Sequence, residues 1–488
     1  MLFNSFSFLV FFIIVTLTYF FLPHRFRWFF LLVASSFFYM FFKPEYILIL
    51  LFTIVVDYYA GILLESTGNP SQKKWYLVMS LVANIGVLAF FKYYNFINDN
   101  ITGIGRLFGF TNHIPYLKII LPIGLSFHTF QAMSYTIEVY RGNQKAERHF
   151  GIYALYVMFY PQLVAGPIER PQNMLHQFHE KKQFDYTNLI SGLRLMLWGL
   201  FKKVVIADRL ALAVDTVYGD IHTYHGLTVL LAAIFYAFQI YCDFSGYSDI
   251  ALGSARVMGF KLMRNFNHPF ASKTITEFWR RWHISLSTWL SDYLYTPIVI
   301  AKRDWGKFAV IFSIMITFMI SGLWHGAAWN FVLWGVLHGI VMSFEFITKK
   351  RRNQLAKVTP GWLYSGLARL FTLAFLLISW IFFRNGSIPD CIYIIKTAFN
   401  PFAHGYFNII HDDMHNNFTV LGFPRWKFAL VLSGVGCFAL LDYLLRNKSH
   451  FLLLQMNRSI RWAGYIILIM SILFLGIFQS NQFIYFQF

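Results

Sequence analysis

Charge is scarce in this 488-residue chain. Asp, Glu, Lys and Arg make up 13% of it, about half the roughly 25% of an ordinary soluble domain. That shortage excludes an ordinary cytosolic enzyme, because a soluble surface must offer water enough polar groups. It is equally far from the composition of a disordered or collagen-like chain. Three cysteines (Cys242, Cys391 and Cys437) have neither metal-ligand nor disulfide spacing, so no metal site and no disulfide framework is expected. There is no G-x-S-x-G elbow, P-loop, H-E-x-x-H or dinucleotide fingerprint, which leaves a serine hydrolase or an ATP-driven pump without support. The start, MLFNSFSFLVFF, lacks a basic n-region and a small-residue cleavage site; it reads as a retained first helix, not a signal peptide. No internal repeat, long linker or separate soluble domain is visible, so residues 1–488 read as one transmembrane domain.

What the chain does have is apolar length. It is 57% hydrophobic and 20% aromatic, with a mean hydropathy of +0.52. Apolar stretches fall at roughly 6–22, 28–42, 45–64, 76–91, 119–139, 151–167, 187–206, 226–248, 308–324, 328–347, 365–383, 428–445 and 463–479. Runs of this length and polarity are membrane-helix candidates. The expected fold is all-α and polytopic, with 11 to 13 membrane helices. The stretch at 28–42 is short, and 151–167 is broken by Pro161 and Gly166; either is re-entrant or buried rather than simply spanning.

The net charge of +19, from 41 Lys+Arg against 22 Asp+Glu, does not point to nucleic acid, since no basic–aromatic module accompanies it. Basic residues gather instead in loops beside helices: Arg25 and Arg27, Lys73 and Lys74, Arg141 with Lys145 and Arg148, Lys349 to Arg352, and Arg446 with Lys448, Arg458 and Arg461. The positive-inside rule makes these loops cytoplasmic. Alternation then places the N-terminus, the 385–425 loop and the tail Asn481–Phe488 on the outer side. The 92–118 loop, with Lys92, Arg106 and Lys118, departs from this scheme.

Ionisable groups at membrane depth are costly, so each is a functional candidate. His325 stands in SGLWHGAAWNFVLWGVLHG, between two apolar runs and next to Trp324. A neutral imidazole there can take a proton from a hydroxyl, or be a structural ring bonded to a neighbouring helix. Gly322 and Gly326 leave room for a backbone or ligand to approach. His283 lies in EFWRRWHISLSTWLSDY, within a segment (268–304) whose charges suit an interfacial or cavity-lining helix. Trp279 and Trp282 fit interface anchors as well, and Arg280 and Arg281 fit snorkelling to headgroups. Asp292 either orients a histidine or caps a helix. Asp243, Ser245, Ser248 and Asp249 follow a long apolar run and read as ion ligands or, the preferred reading, as hydrogen bonding that holds a polar interior together. His128 and Gln131, and the break at Pro161, Gln162, Gly166 and Pro167, suit a cavity lining or a seat against other helices. His338 reads as structural.

Taken together, LPIGLSFHTFQAMSYTIEVYRG, FYPQLVAGPIERP, QIYCDFSGYSDIALGSARVMGF, FWRRWHISLSTWLSDYLY, SGLWHGAAWNFVLWGVLHG and LISWIFFRNGSI resemble the membrane-bound O-acyltransferase family, in particular its bacterial alginate O-acetyltransferase branch. The resembling region is about 120–390. The resemblance implies a ring of helices around a tunnel, with His325 as the active-site histidine. It implies His283 as the second active-site position, which is asparagine or aspartate in many eukaryotic members; the D-alanyl transfer protein of teichoic acid synthesis is similar at both. It further implies acetyl-CoA as donor, no permanently bound cofactor, an extracytoplasmic partner transferase, a polysaccharide acceptor, and residence among the lipids of the bacterial inner membrane. Arg280 and Arg281 are then candidates for the CoA phosphates. The tail FIYFQF resembles a tyrosine-bearing terminal motif of related acylation systems, which makes Tyr485 an acyl-relay candidate; otherwise its aromatics are interface anchors. Peptidoglycan, teichoic acid or a small lipid are alternative acceptors. A transporter of lipid-linked sugar is the competing class, and it predicts paired repeats with broken helices, which the sequence does not show.

Overall fold

The computed structural model describes residues 1–118, 121–403, 405–407, 411–412, 418–420, 423–445, 457–478 and 483–484. The described chain is almost wholly helical; its only extended pairings are short antiparallel strands at His411–Asp412, Phe418–Val420 and Phe423–Pro424. Seven helices among the described residues are long and apolar enough to cross a membrane: Pro44–Ser66, Pro70–Leu107, Gly226–Val257, Lys307–His325, Trp329–Val358, Gly361–Arg384 and Arg458–Leu475. Phe6–Phe21 and Val431–Leu444 are apolar but shorter.

That is fewer than 11 to 13, and the reasons are local. The 151–167 stretch splits into Phe150–Met158 and Tyr160–Leu163, with non-helical backbone at Phe159 just ahead of Pro161, where proline cannot donate and crowds the preceding turn. The 187–206 stretch is a 15-residue helix, Tyr186–Leu200, that widens into a π-helical turn at Phe201–Ala207 containing Lys202 and Lys203. The 119–139 stretch yields the 17-residue Leu125–Arg141 helix, whose inward polar residues (Ser126, His128, Thr129, Gln131, Ser134, Thr136 and Glu138) are all buried.

The chain divides into two compact units. One comprises residues 1–196, without 119 and 120, and 247–264. Within it the Asp57 carboxylate accepts from Ser80 Oγ at 2.6 Å and from Asn84 Nδ2 at 2.9 Å, which ties Ile47–Ser66 to Pro70–Leu88. The Leu125–Arg141 helix starts at Gly124, with φ +77 and with Leu163 O only 2.7 Å from where a Cβ would stand, so only glycine fits. Gln131 and Gln162 both donate to the Tyr156 carbonyl, so the polar residues of the proline break satisfy each other's backbone, as buried groups must.

The other unit comprises residues 197–246 and 265–484. Its centre is a hairpin of Lys307–His325 and Trp329–Val358. A Cβ on Gly322 would lie 2.2 Å from Phe331 O, and one on Gly335 would lie 2.2 Å from Phe318 O. The two backbones therefore touch through glycine, the close packing that membrane helices obtain from small residues. The sequence reading leaves Gly322 and Gly326 room for a backbone or a ligand; at Gly322 a backbone takes it, and at Gly326 the Phe331 ring does, 2.1 Å from where a Cβ would stand.

Candidate active site

His325 is the last residue of its helix, and the chain turns out to an extended Gly326 that still donates to the Gly322 carbonyl. The ring is 3% exposed. It meets Trp324 at 4.9 Å, Trp334 at 5.1 Å and Phe383 at 5.1 Å between centroids, all at steep angles. Edge-to-face contacts of this kind fix a ring's orientation. The hairpin supplies Trp334, and the following helix, Gly361–Arg384, supplies Phe383.

His283 arrives by a different route. The segment before it forms a short helix, Ile275–Trp279, capped by Thr274, whose side chain accepts from Glu277 N at 3.0 Å. Glu345, buried on the second hairpin helix, accepts from Ile275 N at 2.6 Å, Thr276 N at 2.9 Å and Thr276 Oγ1 at 2.7 Å. A carboxylate at a helix N-terminus satisfies amides that have no partner inside the helix. The chain then reverses through Arg280–His283, and a second short helix, Ile284–Leu290, begins. Asn265 holds that start: its carbonyl accepts from Ile284 N at 2.9 Å and its side chain from Ser285 Oγ at 2.6 Å. His283 sits in the corner with φ 43 and ψ 53. A left-handed backbone at a residue other than glycine costs about 1–3 kcal/mol and persists only where the surroundings impose it. The imidazole is fully buried.

The two rings, 42 positions apart in sequence, converge on one tryptophan: Trp324 lies 6.1 Å from His283 and 4.9 Å from His325. Phe244 closes the far side of His283 at 4.7 Å. His338 faces Trp334 at 4.8 Å, and its Nδ1 accepts from the Trp279 indole at 3.1 Å, in line with the structural role expected of it. Trp282 is buried on Phe278 at 5.3 Å and Trp380 at 5.4 Å, and Trp279 is buried too. Neither is an interface anchor; both belong to the core under the histidine corner.

The remaining candidates are spread out. Arg280 is exposed; Arg281 is half-buried and bonded to Glu277 Oε1 at 3.0 Å. Asp292 is exposed in the π-helical turn Ser291–Tyr295. His128, Gln131, Pro161, Gln162, Gly166 and Pro167 belong to the other compact unit, as do Ser248, which is buried, and Asp249, which is half-buried. Tyr485 lies outside the described residues. Asp243 and Ser245 are not ligands to an ion: Lys203 Nζ stands 2.7 Å from Asp243 Oδ1 and 2.8 Å from Asp208 Oδ1, and Lys202 Nζ donates to Ser245 Oγ at 2.9 Å. The preferred sequence reading, polar bonding that holds the interior together, matches this arrangement. Sequence reasoning missed the lysines. The signal was present, because Lys202-Lys203 inside an apolar stretch demands buried counter-charges.

Residues 53–385 match the model of the membrane-bound O-acyltransferase family. The chain is 32% identical to the peptidoglycan O-acetyltransferase of Helicobacter pylori, over 91% of this chain and 88% of that protein. It is 37% identical to the probable alginate O-acetylase AlgI of Azotobacter vinelandii, over 68% of this chain and 64% of the other. It is 28% identical to the teichoic acid D-alanyltransferase of Bacillus subtilis, over 49% of this chain and 62% of the other. The match covers His283, Trp324 and His325 and the elements that carry them. With seven helices among the described residues long and apolar enough to cross a membrane, this is a multi-pass membrane protein, and it belongs to the membrane-bound O-acyltransferase family.

Proposed function

We propose that this enzyme takes an acetyl group from cytoplasmic acetyl-CoA and delivers it across the bacterial inner membrane to hydroxyls of an extracytoplasmic glycan. The observation that carries the reading is the convergence of His325 and His283 on Trp324. His325 is the general base: its imidazole takes the proton of the attacking hydroxyl as that oxygen bonds to the thioester carbonyl. The carbon–sulfur bond breaks, and the proton leaves with the CoA thiolate. General-base catalysis of this kind contributes typically ~10²–10⁴-fold. His283, held by an imposed backbone, positions or polarises a reacting group. Exposed Arg280, with Arg281 behind it, meets the CoA phosphates. Tyr485 is the proposed carrier that accepts acetyl and passes it to a partner transferase outside.

For the acceptor, an alginate-type exopolysaccharide is supported by the likeness to probable alginate O-acetylases. Peptidoglycan is the second reading, favoured by a likeness to a peptidoglycan O-acetyltransferase that runs over 91% of the chain. Membranes containing the enzyme, supplied with radiolabelled acetyl-CoA, test both. Label should reach a glycan fraction, muropeptides or exopolysaccharide telling the two acceptors apart. His325→Ala should abolish it. Tyr485→Phe should stop transfer to the glycan at unchanged protein level; normal labelling in that variant removes the relay. Movement of a lipid-linked sugar that persists without His325, with no acetyl transfer in the parent, would favour a transporter.

A further inference from the structure

The end of the last described helix does not simply leave the protein. Arg209 donates to the Leu475 carbonyl, and Ile477 N donates at 3.0 Å to the carbonyl of Val204, inside the π-helical turn. Seven residues later the chain is held again. Ile484 N donates to Asp243 Oδ2 at 2.8 Å, and the Phe483 ring lies 5.5 Å from Phe244. Phe483 and Ile484 are 1% and 6% exposed. Phe244, which meets Phe483 on one side, meets His283 at 4.7 Å on the other.

Asp243 thus spends its two oxygens differently: Oδ1 on Lys203 at 2.7 Å and Oδ2 on the tail amide. Lys203 is itself shared with Asp208, so one ammonium bonds to two carboxylates while the second Asp243 oxygen remains for an amide. A buried charge pair stripped of one partner is strongly destabilised, and a buried amide left unpaired costs about 1–3 kcal/mol. Each side of the contact therefore holds the other in place. We propose that Asp243, fixed by Lys203 and Asp208, is a positioning residue that latches the C-terminal segment onto the acyl-transfer site, with Phe483 forming part of the wall behind Phe244 and His283. The latch itself stands on the geometry; its effect on transfer rests on the function proposed above.

The test uses full-length enzyme in membranes, with Cys437→Ser to remove the exposed cysteine and Phe483→Cys as a reporter. In this background a maleimide should label the reporter slowly. Adding Asp243→Asn should raise the labelling rate at least tenfold. Ile484→Pro removes the tail's N–H together with the isoleucine side chain and should do the same from the other side of the bond, which covers the case in which Asp243→Asn fails to fold; Ile484→Ala, which loses the side chain but keeps the N–H, should label well below Ile484→Pro. Ile484→Val keeps the N–H and should label as slowly as the parent. With Phe483 intact, Asp243→Asn and Ile484→Pro should lower kcat for acetyl transfer per folded enzyme at least tenfold with little change in KM for acetyl-CoA, the folded fraction being measured in the same membranes so that a loss of folded protein is divided out. Unchanged labelling in folded Asp243→Asn and Ile484→Pro overturns the latch whatever the activity. Raised labelling with active His325→Ala would keep the latch and overturn the histidine mechanism instead.

Discussion

Two histidines press against the same indole and behave differently. His325 and His338 lie 5.1 and 4.8 Å from Trp334 and are 3% and 1% exposed. His338 sits in mid-helix, where Trp279 donates to its Nδ1, which fixes the neutral ring with its proton on Nε2. Its bond ties the Ile275–Trp279 helix to the hairpin. His325 ends its helix, one residue after the tryptophan that also touches His283. Burial and aromatic company are common to both, so neither marks chemistry. The distinguishing feature is position: one ring staples two helices, while the other stands where a helix stops and a second histidine arrives. Side-chain chemistry at a membrane-embedded site is placed where regular backbone ends.

The sharpest way to break this comparison is to truncate both rings. His325→Ala should cost about 10²–10⁴-fold in acetyl transfer at normal membrane levels, far more than the stability lost to the cavity it opens accounts for. His338→Ala should instead lower thermal stability, since it strands the Trp279 indole and opens a cavity, and activity should fall only as far as folding does. Equal activity losses at equal stability would erase the distinction. The next effect concerns the corner that brings the second ring. Asparagine tolerates the left-handed backbone and keeps polar atoms, so His283→Asn should fold normally and lose about 10–100-fold in kcat. His283→Val should add a stability loss, because a β-branched residue is strained at φ 43. A stable, inactive His283→Val would show that the corner does not impose that backbone.

Much of this was legible in the sequence, for physical reasons that differ by residue. The all-helical membrane fold follows from apolar runs that water cannot accept. His325 and His283 stood out because polar side chains at such depth need a purpose, and family resemblance joined two rings that spacing alone could not. The number of spanning helices was not legible: among the described residues, the break at Phe159 divides a run that hydropathy sees as continuous. Nor were pairings across long separations. Nothing in SGLWHG says that Phe331 occupies the space at Gly326, or that Glu345 caps a helix 70 residues upstream. Such contacts depend on tertiary placement, which periodicity does not encode.

A milder substitution sharpens the staple. Trp279→Phe keeps the ring against Trp334 and Phe318 and removes only the donor to His338. One lost hydrogen bond is worth about 0.5–1.5 kcal/mol, so thermal stability should drop slightly and transfer should stay within tenfold of the parent. A larger activity loss would mean that the staple side also serves the reaction.

The smallest expected effect separates two neighbours that the sequence treats alike. Arg281 is committed to Glu277 Oε1 at 3.0 Å and to the Asn267 carbonyl at 3.3 Å, whereas Arg280 is exposed at the same turn. Only an arginine whose guanidinium faces water can meet an incoming phosphate without first breaking a bond. Exposed charge pairs are worth about 0.2–1 kcal/mol, so Arg280→Gln should raise KM for acetyl-CoA about two- to fivefold at unchanged kcat. The increase should shrink as salt is added, because screening weakens an exposed pair first. Arg281→Gln should leave that salt dependence intact and show its cost in thermal stability, since it loosens the turn ahead of His283. If instead Arg281→Gln abolishes the salt dependence, the committed arginine is the one that meets the donor, and the turn must open when acetyl-CoA binds.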